Sequence, residues 1–119
     1  MIGIDLIKTE RMKGSLERFE DKFLQRFLSP EEISLVKNHT TAAGFWAAKE
    51  ACSKALGCGI GKECGFHDII LSKTPKGAPC ITLSQDLLDK YKVTDMSLSI
   101  THDGDYAIAV VAIEGKKVS

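Results

Sequence analysis

Residues 45–61, with the sequence FWAAKEACSKALGCGIG, constrain the fold of this chain more than any other stretch. Ala48, Cys52 and Leu56 recur every four residues, which predicts a helix with one small, apolar face. Alanine has the highest helix propensity, and small side chains allow another backbone to approach closely. The opposite face carries the polar residues Lys49, Glu50, Ser53 and Lys54.

Three alternating glycines follow this helix. Gly57 is typical of a left-handed helix C-cap, but that role leaves Gly59 and Gly61 unexplained. Alternating glycines also let backbone amides approach a ligand closely. The segment fits neither the P-loop nor the dinucleotide-binding pattern, because the glycines required by each are absent.

Glu50 has two interpretations. It can form an ordinary i, i+4 surface pair with Lys54, or it can bind a magnesium ion together with phosphate oxygens, water and a second carboxylate. Asp5, in a predicted N-terminal strand, is the natural second carboxylate if that strand packs beside the helix. The sequence alone leaves three rivals: Asp68, Asp103 and Asp105.

The chain order predicts an α+β fold with helices packed on a mostly antiparallel sheet, as a single domain of residues 1–119. We expect a strand from residue 2 and a long helix from Glu10 to about Leu28, with a stripe of Phe19, Phe23 and Phe27. Ser29 predicts a capping box with Glu32 and a short helix.

The remaining predicted elements are a break at 38–41, strands at 68–72 and 80–83, a helix capped by Ser84, and a hairpin of strands at 96–102 and 106–113 around Asp103-Gly104. Tyr106–Ile113 is so apolar that we expect both its faces to be covered.

Composition excludes several function classes. The formal net charge is zero, so neither nucleic acid nor a membrane surface is expected as a partner. The four cysteines form no metal-binding spacing, and a chain with this much core predicts free thiols. An acid at position 5 interrupts any secretory signal, and no apolar run is long enough to span a membrane, so we expect a cytoplasmic protein.

His102 ends a predicted strand beside the Asp-Gly turn. A histidine there is typically a surface or hydrogen-bonded structural residue, but it can also bind phosphate or act as a base near neutral pH.

Three segments together resemble one family. Gly3-Ile4-Asp5 opens the chain, residues 46–61 form the middle, and residues 97–102 with Tyr106-Ala107 close it. This arrangement, over nearly the whole chain, resembles the holo-acyl-carrier-protein synthases, the small single-domain class of 4′-phosphopantetheinyl transferases. The resemblance implies the phosphopantetheinyl transferase fold assembled as a homotrimer, with each site between two subunits.

The resemblance implies Mg²⁺-dependent transfer of 4′-phosphopantetheine from coenzyme A to a serine of acyl carrier protein, releasing adenosine 3′,5′-bisphosphate and supporting fatty acid biosynthesis. By position, it implies that Asp5 and Glu50 bind the metal. It implies that Arg11 and Arg18 dock the acidic carrier. The implied catalytic set is Asp5, Glu50, Lys54 and His102. The implied nucleotide-binding set is Lys49, Ser53, Lys54, Gly57, Gly59, Gly61, Gly77, Pro79 and His102.

Some questions stay open at this point. Glu50, a metal-bound water and His102 are all candidate acceptors of the serine proton. Phe45 stands where many relatives carry an arginine, and Ala78 where they often carry a lysine, so a 3′-phosphate contact is lost or moved, with Lys49 and Lys62 as candidates. The alternatives to the transferase are a non-catalytic coenzyme A or nucleotide-binding module and an oligomeric scaffold.

Overall fold

The computed structural model describes residues 1–116, and residues 117–119, the end of the predicted domain, lie outside the described part. Over residues 1–116 it contains five strands and five α-helices. The strands are β1 (Ile2–Lys8), β2 (Ile69–Lys73), β3 (Pro79–Leu83), β4 (Asp95–Asp103) and β5 (Tyr106–Glu114). The helices are α1 (Thr9–Phe19), α2 (Asp21–Gln25), α3 (Pro30–Ile33), α4 (His39–Leu56) and α5 (Gln85–Lys90), with a short 3-10 helix at Phe66–Asp68.

All strand pairs are antiparallel, as predicted, but they form two sheets. One sheet has the order β1-β5-β4, and the other is the β2–β3 hairpin. In the first sheet Asp5 lies opposite Ala109, and His102 lies opposite Ala107. Because directly paired residues share a face, Asp5 and His102 both point to the face covered by α4.

The alanine face of α4 packs directly on this sheet. Ala47, Ala48, Ala51 and Cys52 are fully buried, which confirms the predicted close approach. Gly3 is required here, since a Cβ atom at that position would lie 2.6 Å from the Ala55 nitrogen and closer still to the Ala51 carbonyl. The pairing of small residues therefore fixes β1, and Asp5 with it, against α4.

The central helix begins earlier than predicted. Residues 39–41, which we expected to break the chain, form the first turn of α4. The reason is that Asn38 is an N-cap: its side chain accepts a hydrogen bond from the Thr41 amide at 3.0 Å.

The predicted helix from Glu10 to Leu28 is interrupted, which corrects the sequence reading. Glu20 adopts φ 51°, ψ −136°, and separates α1 from α2. The break turns Phe23 and Phe27 onto Trp46, with ring centroids at 6.2 and 5.0 Å. Phe19 stays 47% exposed, so the three phenylalanines do not share one buried face.

Two predicted caps have different outcomes. Ser29 and Glu32 form the reciprocal capping box of α3, with bonds of 3.3 and 2.8 Å. Ser84 stands at the N-cap of α5, but its hydroxyl makes no capping bond and is buried without a hydrogen-bond partner within residues 1–116. The prediction that Ser84 is the N-cap of α5 is confirmed, and the prediction that its side chain forms a capping hydrogen bond is wrong.

The outer face of the three-stranded sheet is apolar and open. Ile2, Ile4 and Leu6 of β1 are 75%, 58% and 56% exposed, and Val110 of β5 is 37% exposed. Nothing within residues 1–116 covers this face. The expectation that both faces of β5 are covered is therefore wrong within a single chain. No described helix is both long and apolar enough to cross a membrane.

Candidate functional site

Asp5, Glu50 and Lys54 meet where β1 crosses the C-terminal half of α4. Lys54 Nζ donates to Asp5 Oδ1 at 2.7 Å and to the Ile4 carbonyl at 3.3 Å. Glu50 lies one helical turn before Lys54 and close enough to Asp5 for their charges to interact. The alternative of a plain Glu50–Lys54 surface pair is replaced by a cluster of two carboxylates and one ammonium.

The electrostatics of this cluster favour a bound cation. Partial burial raises the pKa of Glu50, the negative charge of Asp5 raises it further, and Lys54 lowers it. A divalent cation between the carboxylates would relieve this repulsion.

The carboxylate cluster does not form a complete metal site from protein side chains. Over residues 1–116 no three histidine, cysteine, aspartate or glutamate side chains gather in a way that could hold a metal. The two carboxylates fit Mg²⁺, which usually takes one or two protein carboxylates and completes its shell with phosphate oxygens and water.

The three rival aspartates do not join this cluster. Asp68 Oδ2 accepts a hydrogen bond from the Gly65 amide at 2.9 Å within its own turn. Asp103 and Asp105 flank the β4–β5 turn, where the Asp105 carbonyl accepts from the Thr9 amide at 2.8 Å.

Lys49 and Ser53 do not face the cluster. Lys49 is completely buried, and its ammonium donates to Glu32 Oε1 at 2.8 Å. Ser53 is also buried and donates to the Glu50 carbonyl at 2.7 Å. The nucleotide contacts predicted for both side chains are corrected to structural roles, because neither side chain is accessible to a ligand.

The first glycine after α4, Gly57, is the helix C-cap, as predicted. Gly57 has φ 82° and caps the helix, and Gly59 has φ 68°, a backbone conformation that other residues rarely adopt. A Cβ atom at Gly59 or Gly61 would meet nothing within 4 Å, so the described chain leaves open space beside both. This open loop begins three residues after Lys54.

His102 lies in a separate cleft near the start of α4. Its Nε2 lies 3.1 Å from the Thr40 carbonyl, so Nε2 carries a proton and Nδ1 faces away from this bond. The cleft has a volume of about 150 Å³. It is lined by Thr41, Gly44, Phe45, Lys73, Gly77, Pro79, Ile100 and His102.

Lys73 in this cleft was missed by the sequence reading. It ends β2 and adds a positive charge to the cleft that Phe45 also lines. Its proximity to the predicted Gly77–Pro79 turn was the available signal. Gly44 permits the close packing here, since a Cβ atom would lie 3.0 Å from Ile100 Cγ2.

The predicted site residues therefore fall into two groups within residues 1–116. One contains Asp5, Glu50, Lys54 and the glycine loop, and the other contains Gly77, Pro79 and His102. Gly44 and Gly57 mark the two ends along α4, about 20 Å apart at 1.5 Å per residue.

The exposed face of α1 carries the two predicted docking arginines. Arg11 and Arg18 are exposed and line one open groove with Glu10 and Phe19. Arg11 also borders a cavity of about 200 Å³, whose other lining residues are Ile7, Met12, Ser15, Phe23 and Trp46. This surface combines positive charge with an apolar recess.

Thiol chemistry is excluded from the core. All four cysteines are free, as predicted. Burial raises the pKa of Cys52 and Cys64 to about 12, so both remain protonated and non-nucleophilic at neutral pH.

Comparison with known proteins gives a consistent result. The sequence profile of the 4′-phosphopantetheinyl transferase superfamily matches residues 1–111. Holo-[acyl-carrier-protein] synthase of Sulfurimonas denitrificans is 67% identical over 96% of this chain and 94% of that protein. The Wolinella succinogenes enzyme of the same name is 56% identical over 98% of this chain and 99% of that protein. The crystal structure of Helicobacter pylori holo-[acyl-carrier-protein] synthase in complex with coenzyme A superposes with a TM-score of 0.92 at 52% identity, covering 96% of this chain and 100% of that one.

Proposed function

Because this chain belongs to the 4′-phosphopantetheinyl transferase superfamily, among its holo-acyl-carrier-protein synthase enzymes, we propose that it converts apo to holo acyl carrier protein with coenzyme A. The carrier serine oxygen attacks the phosphorus that bears pantetheine. The phosphoanhydride bond to the adenosine side breaks, the serine loses its proton, and adenosine 3′,5′-bisphosphate leaves.

The observation that carries the proposal is the convergence of Asp5, Glu50 and Lys54 at one edge of α4. Phosphoryl-type transfer needs positioning and charge neutralisation more than covalent catalysis. Asp5 and Glu50 would hold Mg²⁺, which supplies charge neutralisation at the diphosphate. Lys54 adds a mobile positive charge, since its side chain is 51% exposed despite its bond to Asp5.

The nucleotide would be held by the open backbone of Gly57–Gly61 and by the His102 cleft. In that cleft Lys73 and His102 are the groups we assign to the 3′-phosphate, in place of an arginine at position 45. Gly77 and Pro79 would border the adenine.

We place the acyl carrier protein on α1. Its acidic surface would meet Arg11 and Arg18, and the neighbouring cavity under Trp46 offers room for an apolar side chain. The reaction serves fatty acid biosynthesis in the cytoplasm, a reducing compartment that suits four free thiols.

We further propose a homotrimer with each site between two subunits. Ile2, Ile4, Leu6 and Val110 are exposed neighbours on one sheet face, and contiguous exposed apolar side chains mark interaction sites, whereas scattered ones need no explanation. The separation of the site residues into two groups along α4 supports a site completed by a neighbouring subunit.

The direct test is incubation with coenzyme A, Mg²⁺ and apo acyl carrier protein, followed by mass spectrometry of the carrier. We expect a mass gain of one phosphopantetheine. Asp5→Ala and Glu50→Ala should each lower kcat/KM on the order of 10²-fold, as loss of a preorganised electrostatic group does. Asp86→Ala, an exposed acid on α5, is the matched control. Normal transfer by either site variant would overturn the assignment of the metal-binding residues.

A further inference from the structure

A buried ion pair joins four segments of the chain. Lys49 Nζ donates to Glu32 Oε1 at 2.8 Å and to the Phe66 carbonyl at 3.0 Å. Glu32 Oε1 also accepts from the Ser29 amide at 2.8 Å, and Oε2 accepts from the Leu71 amide at 2.7 Å. These bonds connect the start of α3, the middle of α4, the 3-10 helix and strand β2.

The ion pair lies between the two groups of site residues. Lys49 directly precedes Glu50 on α4, and Leu71 lies two residues before Lys73, which lines the His102 cleft. β3 is the only strand paired with β2 in the described chain, so the Leu71 amide lies on the free edge of the hairpin. Glu32 takes the place of a neighbouring strand there.

Both charged groups are withdrawn from solvent, with 0% exposure for Lys49 and 2% for Glu32. A buried ion pair of this kind gives little net stability compared with apolar residues, but its geometry is restrictive. Each hydrogen bond of Lys49 and Glu32 either joins two segments of the chain or belongs to the cap of α3. The ion pair therefore connects secondary-structure elements to one another.

We propose that Glu32 and Lys49 are positioning residues that hold the β2–β3 hairpin, and with it the Lys73 side of the nucleotide cleft, in register with the α4 side of the same cleft, which Phe45 lines. The inference rests on the proposed function, since it assumes that the cleft binds the 3′-phosphate end of coenzyme A. Neither residue touches substrate in this arrangement.

The test compares coenzyme A with 3′-dephospho-coenzyme A as substrates of the full chain. The ratio of their kcat/KM values measures the contribution of the cleft and is insensitive to the fraction of unfolded protein. In Lys49→Met we expect this ratio to fall about tenfold, the loss of one charge-assisted hydrogen bond to phosphate. An unchanged ratio would overturn the proposal.

A double variant separates positioning from stability. Lys49→Met alone leaves a buried carboxylate uncompensated, whereas Glu32→Gln/Lys49→Met removes both charges and should recover most of the melting temperature. The ratio should nevertheless stay low, because the bonds from α4 remain absent. A ratio that recovers together with stability would make the pair merely structural. Ile113→Ala, buried on β5, is the control that loses stability and keeps the ratio.

Amide hydrogen exchange on the wild-type protein tests the positioning role independently. Ser29 does not line the cleft, but its amide donates to Glu32. Adenosine 3′,5′-bisphosphate should therefore slow exchange at Ser29 as well as at Leu71, and unchanged exchange at Ser29 would contradict the proposal. A wild-type protein that fails to modify the carrier refutes the proposed function itself. One that modifies it without discriminating the two substrates leaves the transfer reaction standing but refutes the 3′-phosphate role of the cleft, and with it the positioning role.

Discussion

Glu50 sits in an environment that opposes its own charge. Burial and the carboxylate of Asp5 both raise its pKa, and Lys54 offsets this only in part. The folded protein therefore binds a proton at Glu50 more tightly than the unfolded chain does. Between the ordinary pKa of 4.5 and the raised pKa, the contribution of Glu50 to stability falls as pH rises, because the folded state holds the extra proton.

Replacing this carboxylate should stabilise the protein and remove its activity. We expect Glu50→Gln to raise the melting temperature by a few degrees at pH 7, with no gain below pH 4, where both states are protonated. Mg²⁺ with coenzyme A should raise the melting temperature of the wild type and much less that of the variant. Thermal melts at pH 3.5 and 7 measure both effects.

Glu63→Gln, an exposed acid in the loop after α4, is the matched control. It should melt like the wild type at both pH values. A destabilised Glu50→Gln at pH 7 would mean that Glu50 makes a favourable bond in the folded state.

The sequence indicated which charged residues matter better than it indicated which residues they bond to. Residue types and spacing made Asp5, Glu50 and Lys54 candidates but left three other aspartates as rivals, and only the family resemblance implied that Asp5 and Glu50 act together. The burial of Lys49 could not follow, because Glu32 lies 17 positions earlier and helix periodicity places Lys49 on the polar face. A charged side chain such as that of Lys49 is buried at little cost only when another element supplies its counter-charge, here Glu32.

At the scale of elements, contact between β1 and α4 depends on the glycine at position 3, which has no side chain. Gly3 brings the strand backbone against Ala51 and Ala55, and this contact sets the position of Asp5 two residues later. The alternation of Ile2, Ile4 and Leu6 indicated the strand but not which face would meet the helix. The apolar side faces out, and the glycine side faces in.

A methyl group at position 3 should separate these two elements. Because the obstruction is backbone, which cannot move aside as a flexible side chain can, Gly3→Ala should cost about 1–3 kcal/mol or more and lower transfer activity in the folded fraction. Gly14→Ala is the control, since a Cβ atom there meets nothing within 4 Å and alanine favours a helix by about 0.5–1 kcal/mol. Urea unfolding of both variants decides this, and a fully stable Gly3→Ala would contradict the packing argument.

The predicted docking helix is shorter than the sequence pattern indicated, but its two arginines remain exposed on α1. Arg11→Glu/Arg18→Glu should raise KM for the acyl carrier protein, most strongly at low salt, where exposed charges are least screened. The KM for coenzyme A should change little. Kinetics at low and high ionic strength give the measurement.

Lys90→Glu/Lys116→Glu changes the net charge by the same amount at exposed positions away from α1. It should leave KM for the carrier near the wild-type value. A KM unaffected by reversal of Arg11 and Arg18 at low salt would remove α1 from the proposed docking surface.

At the scale of the whole molecule, the main unexplained feature is the outer face of the three-stranded sheet. Its apolar side chains are exposed within residues 1–116. The apolar run of β5 predicted that both its faces are covered, but periodicity cannot say whether the same chain supplies the second cover. Within residues 1–116 it does not. A cover from outside the chain, such as the proposed trimer interface, is therefore what a single sequence specifies least directly.

A charge on this face should dissociate the proposed trimer. Ile4 is 58% exposed in the single chain, so Ile4→Arg should leave the fold intact while placing a charge in the proposed interface, where desolvation is costly. Sedimentation velocity should show a trimer for the wild type and a monomer for the variant, with unchanged circular dichroism. Thr82→Arg on β3 is the exposed control, and a variant that sediments like the wild type would contradict this interface.

The division of the site residues into two groups along α4 has a genetic consequence. If each site takes one group from each of two subunits, two inactive proteins can repair one another. Asp5→Ala and His102→Ala, refolded together from an equimolar mixture, should form mixed trimers in which about a quarter of the sites are intact by random assortment. Two defective alleles in one cell would then complement each other, whereas either alone would not.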